Sequence, residues 1–125
     1  MIEALFSDPN YVAQKRLMDA TVLRHEALAA NIANFETPGY KRVDLPPNFN
    51  DEFAARLRAG HPEKNPPPVL MEDRDAISQR PDGNNIDLDK ELLSMSGNSM
   101  QFETLSEFVS ASLRQLRLAI TGRQS

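Results

Sequence analysis

Two histidines, eighteen carboxylates and no cysteine bound the chemistry open to this chain. The missing cysteine excludes disulfides, thiolate metal sites and cysteine nucleophiles. His25 and His61 share no ligand spacing and no third donor accompanies either, so His25 reads as a structural histidine at a helix contact. The acidic run Glu72-Asp73-Arg74-Asp75 reads as a solvated loop, with weak cation binding as the lesser reading. A calcium loop starting at Asp82 fails, because Ile86 and Asp87 stand where an oxygen ligand and the obligatory glycine belong. No phosphate-binding loop, dinucleotide fingerprint or nucleophile elbow occurs. The expectation is therefore a non-enzyme without cofactor or metal.

The polar residues that do invite a role are amides. Asn31 and Asn34 sit three apart in LAANIANFETPGYKR, on one side of what must be the last turn of a helix. Asparagine is poor inside helices because its side chain competes for backbone hydrogen bonds. The pair either caps its own helix or bonds to another helix or chain. Thr37-Pro38-Gly39-Tyr40 then stops the helix. Proline sets φ near −65° and glycine accepts positive φ, the pattern of a type II turn.

The elements that position these residues follow from periodicity. Ser7-Asp8-Pro9-Asn10 offers N-caps, and residues 11–36 read as one helix with a broad apolar face. Residues 41–86 hold seven of the nine prolines. Within them a short helix is expected over Asp51–Ala59, capped by Asn50 and lined by Phe49, Phe53 and Leu57, with a short strand at Val69-Leu70-Met71. Asp87 is an N-cap for a long helix over 88–121. There Leu88, Leu92, Met95, Ser99, Phe102, Ser106, Val109, Leu113, Leu116 and Ile120 alternate in steps of four and three, a seven-residue repeat that specifies a supercoil. Gly97 weakens that helix or allows a close approach.

The expected fold is mainly α: long N- and C-terminal helices in an antiparallel, coiled-coil-like pair within an assembled inner layer, with a Pro-rich, loop-rich middle carrying a short helix. The expected segments are 1–40, 41–86 and 87–125. Two helices cannot bury two broad faces against each other, so Leu105 and Phe108 on one helix and Leu17 or Leu28 on the other are expected to stay wet and to mark association surfaces. Net charge −4 argues against nucleic acid. No apolar run is long enough for a membrane span, and the N-terminus lacks the basic and apolar regions of a cleaved secretory signal.

LAANIANFETPGYKR, RPDGNNIDLDKELLSMSGNSMQFETLSEFV and the LRQLRLAI ending resemble the signature ends of bacterial flagellar rod and hook (axial) proteins. The match spans about residues 11–45 and 80–121, and GNNIDLDKE narrows it to the small proximal rod proteins. The resemblance implies a subunit of the basal-body rod, the periplasmic drive shaft, which assembles through its terminal helices. The implied partners are copies of itself, other proximal rod proteins, the adaptor FliE that joins rod to membrane ring, and the flagellar type III export apparatus. Export without a cleaved signal would use an F-x-x-x-hydrophobic gate motif, matched by Phe49 and Phe53, which equally suit the packing side of a short helix. Expected interface residues are Leu28, Asn31, Ile32, Asn34, Phe35, Leu105, Phe108, Val109, Leu113 and Leu116. Thr37, Pro38, Gly39 and Tyr40 form the turn where the chain leaves the inner layer. In that setting Asn31 and Asn34 read as contacts between helices or subunits. The alternatives are another proximal rod subunit of the family, or a cytoplasmic helical adaptor or chaperone.

Overall fold

The computed structural model describes residues 6–64, 66–76 and 79–122. Helix α1 runs Pro9–Ala33, strand β1 Val43–Asp44, helix α2 Phe49–Arg58, strand β2 Met71–Glu72 and helix α3 Leu88–Thr121. A turn of 3-10 helix at Pro62–Lys64 follows α2. Helices α1 and α3 pack as an antiparallel pair, as expected from the two periodic ends. The direction is plain from three contacts: Asn31 meets Glu91, Thr21 meets Asn98, and Gln14 meets Ser112.

Local chemistry sets the boundaries. The Asp8 carboxylate accepts from Asn10 N at 2.8 Å and Tyr11 N at 3.3 Å, and Pro9 fills the first turn, so α1 starts at Pro9 rather than at residue 11. It ends at Ala33 because Asn34 closes it: the Asn34 backbone and side chain both donate to Ala30 O, at 3.1 and 2.8 Å. Thr37–Tyr40 is the expected tight turn, with Tyr40 N on Thr37 O at 3.2 Å and Gly39 at φ +74°. The Asp87 carboxylate accepts from Lys90 N to open α3, and Gly122 in the left-handed region closes it.

The middle segment differs in detail from expectation. Helix α2 starts at Phe49 with Asn48, not Asn50, at its N-cap; Asn48 donates instead to the Glu52 carboxylate at 2.8 Å. The strand lies at Met71–Glu72, beyond Val69 and Leu70, where it pairs antiparallel with Val43–Asp44. The register is set by Arg42, whose carbonyl accepts from Asp73 N at 2.8 Å. Phe53 and Pro62 are buried and the 3-10 turn packs on α1. Gly97 has open space where a Cβ would point, so it serves no close approach among the described residues.

The face of α3 that meets α1 is the main correction. The row Leu88-Met95-Phe102-Val109-Leu116 flanks the seam as expected, mostly half-buried. Its companion row is not Leu92-Ser99-Ser106-Leu113-Ile120. It is Glu91-Asn98-Leu105-Ser112, the neighbouring heptad row, with Glu91, Asn98 and Leu105 buried. Leu92, Leu113 and Ile120 are 50%, 44% and 54% exposed. Leu28 and Leu105, expected to stay wet, are buried in the chain's own seam. His25, expected at the helix contact, is exposed at its edge.

Candidate assembly surface and the polar hub behind it

Asn31 is fully buried and all four of its side-chain hydrogen-bonding positions are used. Its Nδ2 donates to Val43 O at 2.8 Å and Glu91 Oε2 at 3.1 Å. Its Oδ1 accepts from Val43 N at 3.0 Å and from the Tyr40 hydroxyl at 3.3 Å. One amide thus joins α1, the turn, β1 and α3. Asn31 is consumed here, whereas the half-buried Asn34 caps its helix through Nδ2 and accepts from Thr37 Oγ1 at 3.1 Å, leaving one donor and one acceptor position unused among the described residues.

Arg42, two residues past the turn, is the cationic centre. Its Nε donates to Glu91 Oε1, its Nη1 to Asp73 Oδ2 at 2.6 Å, and its Nη2 to Asp44 Oδ2 at 2.9 Å. Arg24 of α1 grips the same Asp44 through Nε at 3.0 Å and Nη2 at 3.4 Å. Two guanidiniums therefore meet three carboxylates at the junction of both helices and both strands. Burial opposes the Asp44 carboxylate by raising its pKa. The hydrogen bonds from Arg24 and from Leu45 N outweigh this and hold it below the usual carboxylate range. Burial likewise acts to lower the Arg42 pKa, but its bonds to Glu91 and Asp44 leave it raised above the ordinary arginine value. Tyr40 is pushed up by burial and then by the Glu91 charge.

The second signature stretch answers the first residue by residue. Asn84, fully buried, donates to Asn34 O at 2.9 Å and Thr37 O at 2.8 Å, adding a second bond to carbonyls that already accept from Thr37 N and Tyr40 N in the turn after α1. Its Oδ1 accepts from Ile86 N at 2.8 Å. Asn85 Oδ1 accepts from Arg42 N at 2.6 Å, Lys41 Nζ donates to Gly83 O, and Gly39 N donates to Asp82 O at 2.9 Å. The hub has no reactive arrangement: every carboxylate in it is tied to a guanidinium. Among the described residues, no group of three histidines or carboxylates could hold a metal ion. Asp73, in the acidic run once open to cation binding, bonds Arg42 instead.

Outside the hub lies an apolar surface. Phe108 is 54% exposed on one flank of the α3 seam, while Leu92, Leu113 and Ile120 are exposed on the other flank and Leu93 faces away from α1. Of the expected interface residues, Phe108 and Leu113 are exposed, while Ile32, Phe35, Val109 and Leu116 are half-buried. Leu28, Asn31 and Leu105 lie beneath them. A groove of about 280 Å³ opens beside the seam between Val22 and His25 of α1 and Ser99, Phe102 and Glu103 of α3. Of the Phe49–Phe53 pair, Phe53 is buried and Phe49 half-buried, with the rings stacked at 6.1 Å between centroids.

Sequence reasoning overlooked Arg24, Arg42, Asp44, Asn84, Glu91 and Asn98. Glu91 and Asn98 carried one usable signal, their seven-residue spacing with Leu105 and Ser112. A glutamate in the first turn of a helix is ordinarily explained by the helix dipole, which masks a buried role.

No family-level sequence profile matches the chain. Individual proteins do. The chain is 32% identical over 113 residues to the flagellar basal body rod protein FlgB of Aquifex aeolicus, covering 87% of this chain and 90% of that protein. It is 30% identical to the FlgB of Escherichia coli over 72% of this chain and 77% of that one. It is 27% identical to the FlgB of Bacillus subtilis over 80% and 84%. The chain belongs to the flagellar basal body rod protein FlgB family.

Proposed function

We propose that this chain is a structural, non-catalytic subunit of the proximal rod of the bacterial flagellar basal body, assembling through its two long helices into the shaft that carries torque from membrane ring to hook. The supporting observation is the outer row of α3, where Leu92, Leu113 and Ile120 recur at multiples of seven residues and stay exposed. Such a row is suited to the seam of a further helix, and a stripe of this length is unusual on a lone soluble chain. Neighbouring copies and other rod proteins are its partners, with the adaptor FliE at the membrane-ring end. Ile32, Phe35, Phe108, Val109, Leu113 and Leu116 make the contacts, shaped from beneath by Leu28, Asn31 and Leu105. The turn at Thr37–Tyr40 hands the chain to an outer, variable middle segment. Delivery is through the flagellar type III apparatus into the periplasm, with Phe49 and Phe53 read as the gate motif. Among the described residues no helix is long and apolar enough to cross a membrane.

Leu113→Asp tests the reading. A carboxylate in a buried seam costs several kcal/mol, whereas on an exposed helix face it changes the isolated chain by only about 0.5 kcal/mol. The variant is expected to melt like the parent yet be missing from purified basal bodies and to leave cells non-motile. Normal incorporation would remove the outer row from the assembly interface.

A further inference from the structure

Helix α3 offers two heptad rows that could flank Leu88-Met95-Phe102-Val109-Leu116 in a seam. The row Leu92-Ser99-Ser106-Leu113-Ile120 has three large apolar residues. The row Glu91-Asn98-Leu105-Ser112 has one. Burial of apolar area alone would turn the first toward α1. The chain does the reverse, and the reason is positional. Each polar member of the second row finds its partner at one place on α1. Glu91 Oε2 accepts from Asn31 at 3.1 Å. Asn98 Nδ2 donates to Thr21 O at 2.8 Å. Ser112 Oγ donates to Gln14 Oε1 at 3.4 Å. Sliding α3 by one heptad, about 10 Å, would bring Asn98 opposite Asn31 and leave Glu91 buried or exposed without its hub. Buried polar groups in a helical seam are costly when unpaired and so select the one arrangement that pairs them. Asn98 carries such a cost even here, since its buried Oδ1 has no donor among the described residues.

We propose that Glu91 and Asn98 are specificity-determining residues for helix pairing: they fix both the face and the register with which α3 docks on α1, at the expense of stability, and thereby keep the Leu92 row facing outward. The device holds whether or not that outer row docks in a rod, so its test stands apart from the assembly test.

The chain has no cysteine, so engineered pairs report register cleanly. Gln14→Cys with Ser112→Cys reports the native register, and Gln14→Cys with Ala119→Cys reports a one-heptad slip. With the native Glu91 and Asn98, only the first pair should cross-link on mild oxidation. In a background of Glu91→Leu and Asn98→Leu, Arg42 keeps Asp44 and Asp73 and Asn31 keeps Val43, so no charge is stranded. Asn84 and Asn85 also tie the segment before α3 to the end of α1, so Asn84→Ala and Asn85→Ala are added to both backgrounds; with that tie released, the slipped pair should rise severalfold when Glu91 and Asn98 are leucines and stay absent when they are native. Asn98→Leu alone should melt at or above the parent temperature. The inference is overturned if, with Asn84 and Asn85 replaced, the slipped pair stays absent in the leucine background or forms equally with native Glu91 and Asn98, or if Asn98→Leu lowers the melting temperature and abolishes both cross-links, since the row would then supply stability rather than choice.

Discussion

Asn31 Nδ2 donates to Glu91 Oε2 at 3.1 Å, joining the last turn of α1 to the first turn of α3 across 60 residues of sequence. The bond is buried at both ends. Asn31→Ala strands Glu91 Oε2 and both backbone groups of Val43, so it should cost about 3 kcal/mol. Urea denaturation followed by helical circular dichroism reads this directly. A cost under about 1 kcal/mol would mean that water replaces the amide at the hub.

Arg42 should prove more sensitive than any surface arginine. Arg42→Met leaves Glu91 charged and buried with only Asn31 beside it, a loss of about 3–5 kcal/mol. Arg42→Lys keeps the charge but not the three-way geometry of Nε, Nη1 and Nη2, so rescue should be partial. Full rescue by lysine in the same denaturation experiment would reduce the hub to a point charge.

The acid limit of stability has a defined sign. Asp44 has a depressed pKa in the folded chain. Its contribution is therefore present above the unfolded carboxylate value of about 3.9 and is lost as pH falls through the lower, folded value. Asp44→Asn should remove this part of the acid dependence, seen as a flatter plot of melting temperature against pH below about 4. Tyr40 acts at the other end, because its pKa is raised. Its contribution is present below about 10 and is lost as pH rises through the folded value.

Phe49 and Phe53 separate export from folding. Phe53 is buried, so Phe53→Ala should cost the folded chain about 3 kcal/mol. Phe49 is only half-buried, and Phe49→Ala should be milder in folding while reducing secretion of the chain into the medium or periplasm. Unchanged secretion with Phe49→Ala would leave the pair as packing alone.

The long elements were legible from local chemistry. Asp8 and Asp87 as caps, Pro38-Gly39 as the turn, Gly122 as the stop and the seven-residue repeat of α3 each act within a few residues, so the linear order of side chains determined them. That two broad apolar faces must leave something exposed was also legible, because it follows from counting rows. Which row stays exposed was decided only by the tertiary structure. Hydrophobic periodicity weighs Leu92 and Leu113 above Glu91 and Asn98, and it has no knowledge of Arg42, Asn31 and Thr21 waiting across the seam. A buried polar row is favourable only when its partners arrive from distant parts of the chain, and LAANIANFETPGYKR and RPDGNNIDLDKE reveal themselves as two halves of one hydrogen-bonded junction only once folding has brought them together.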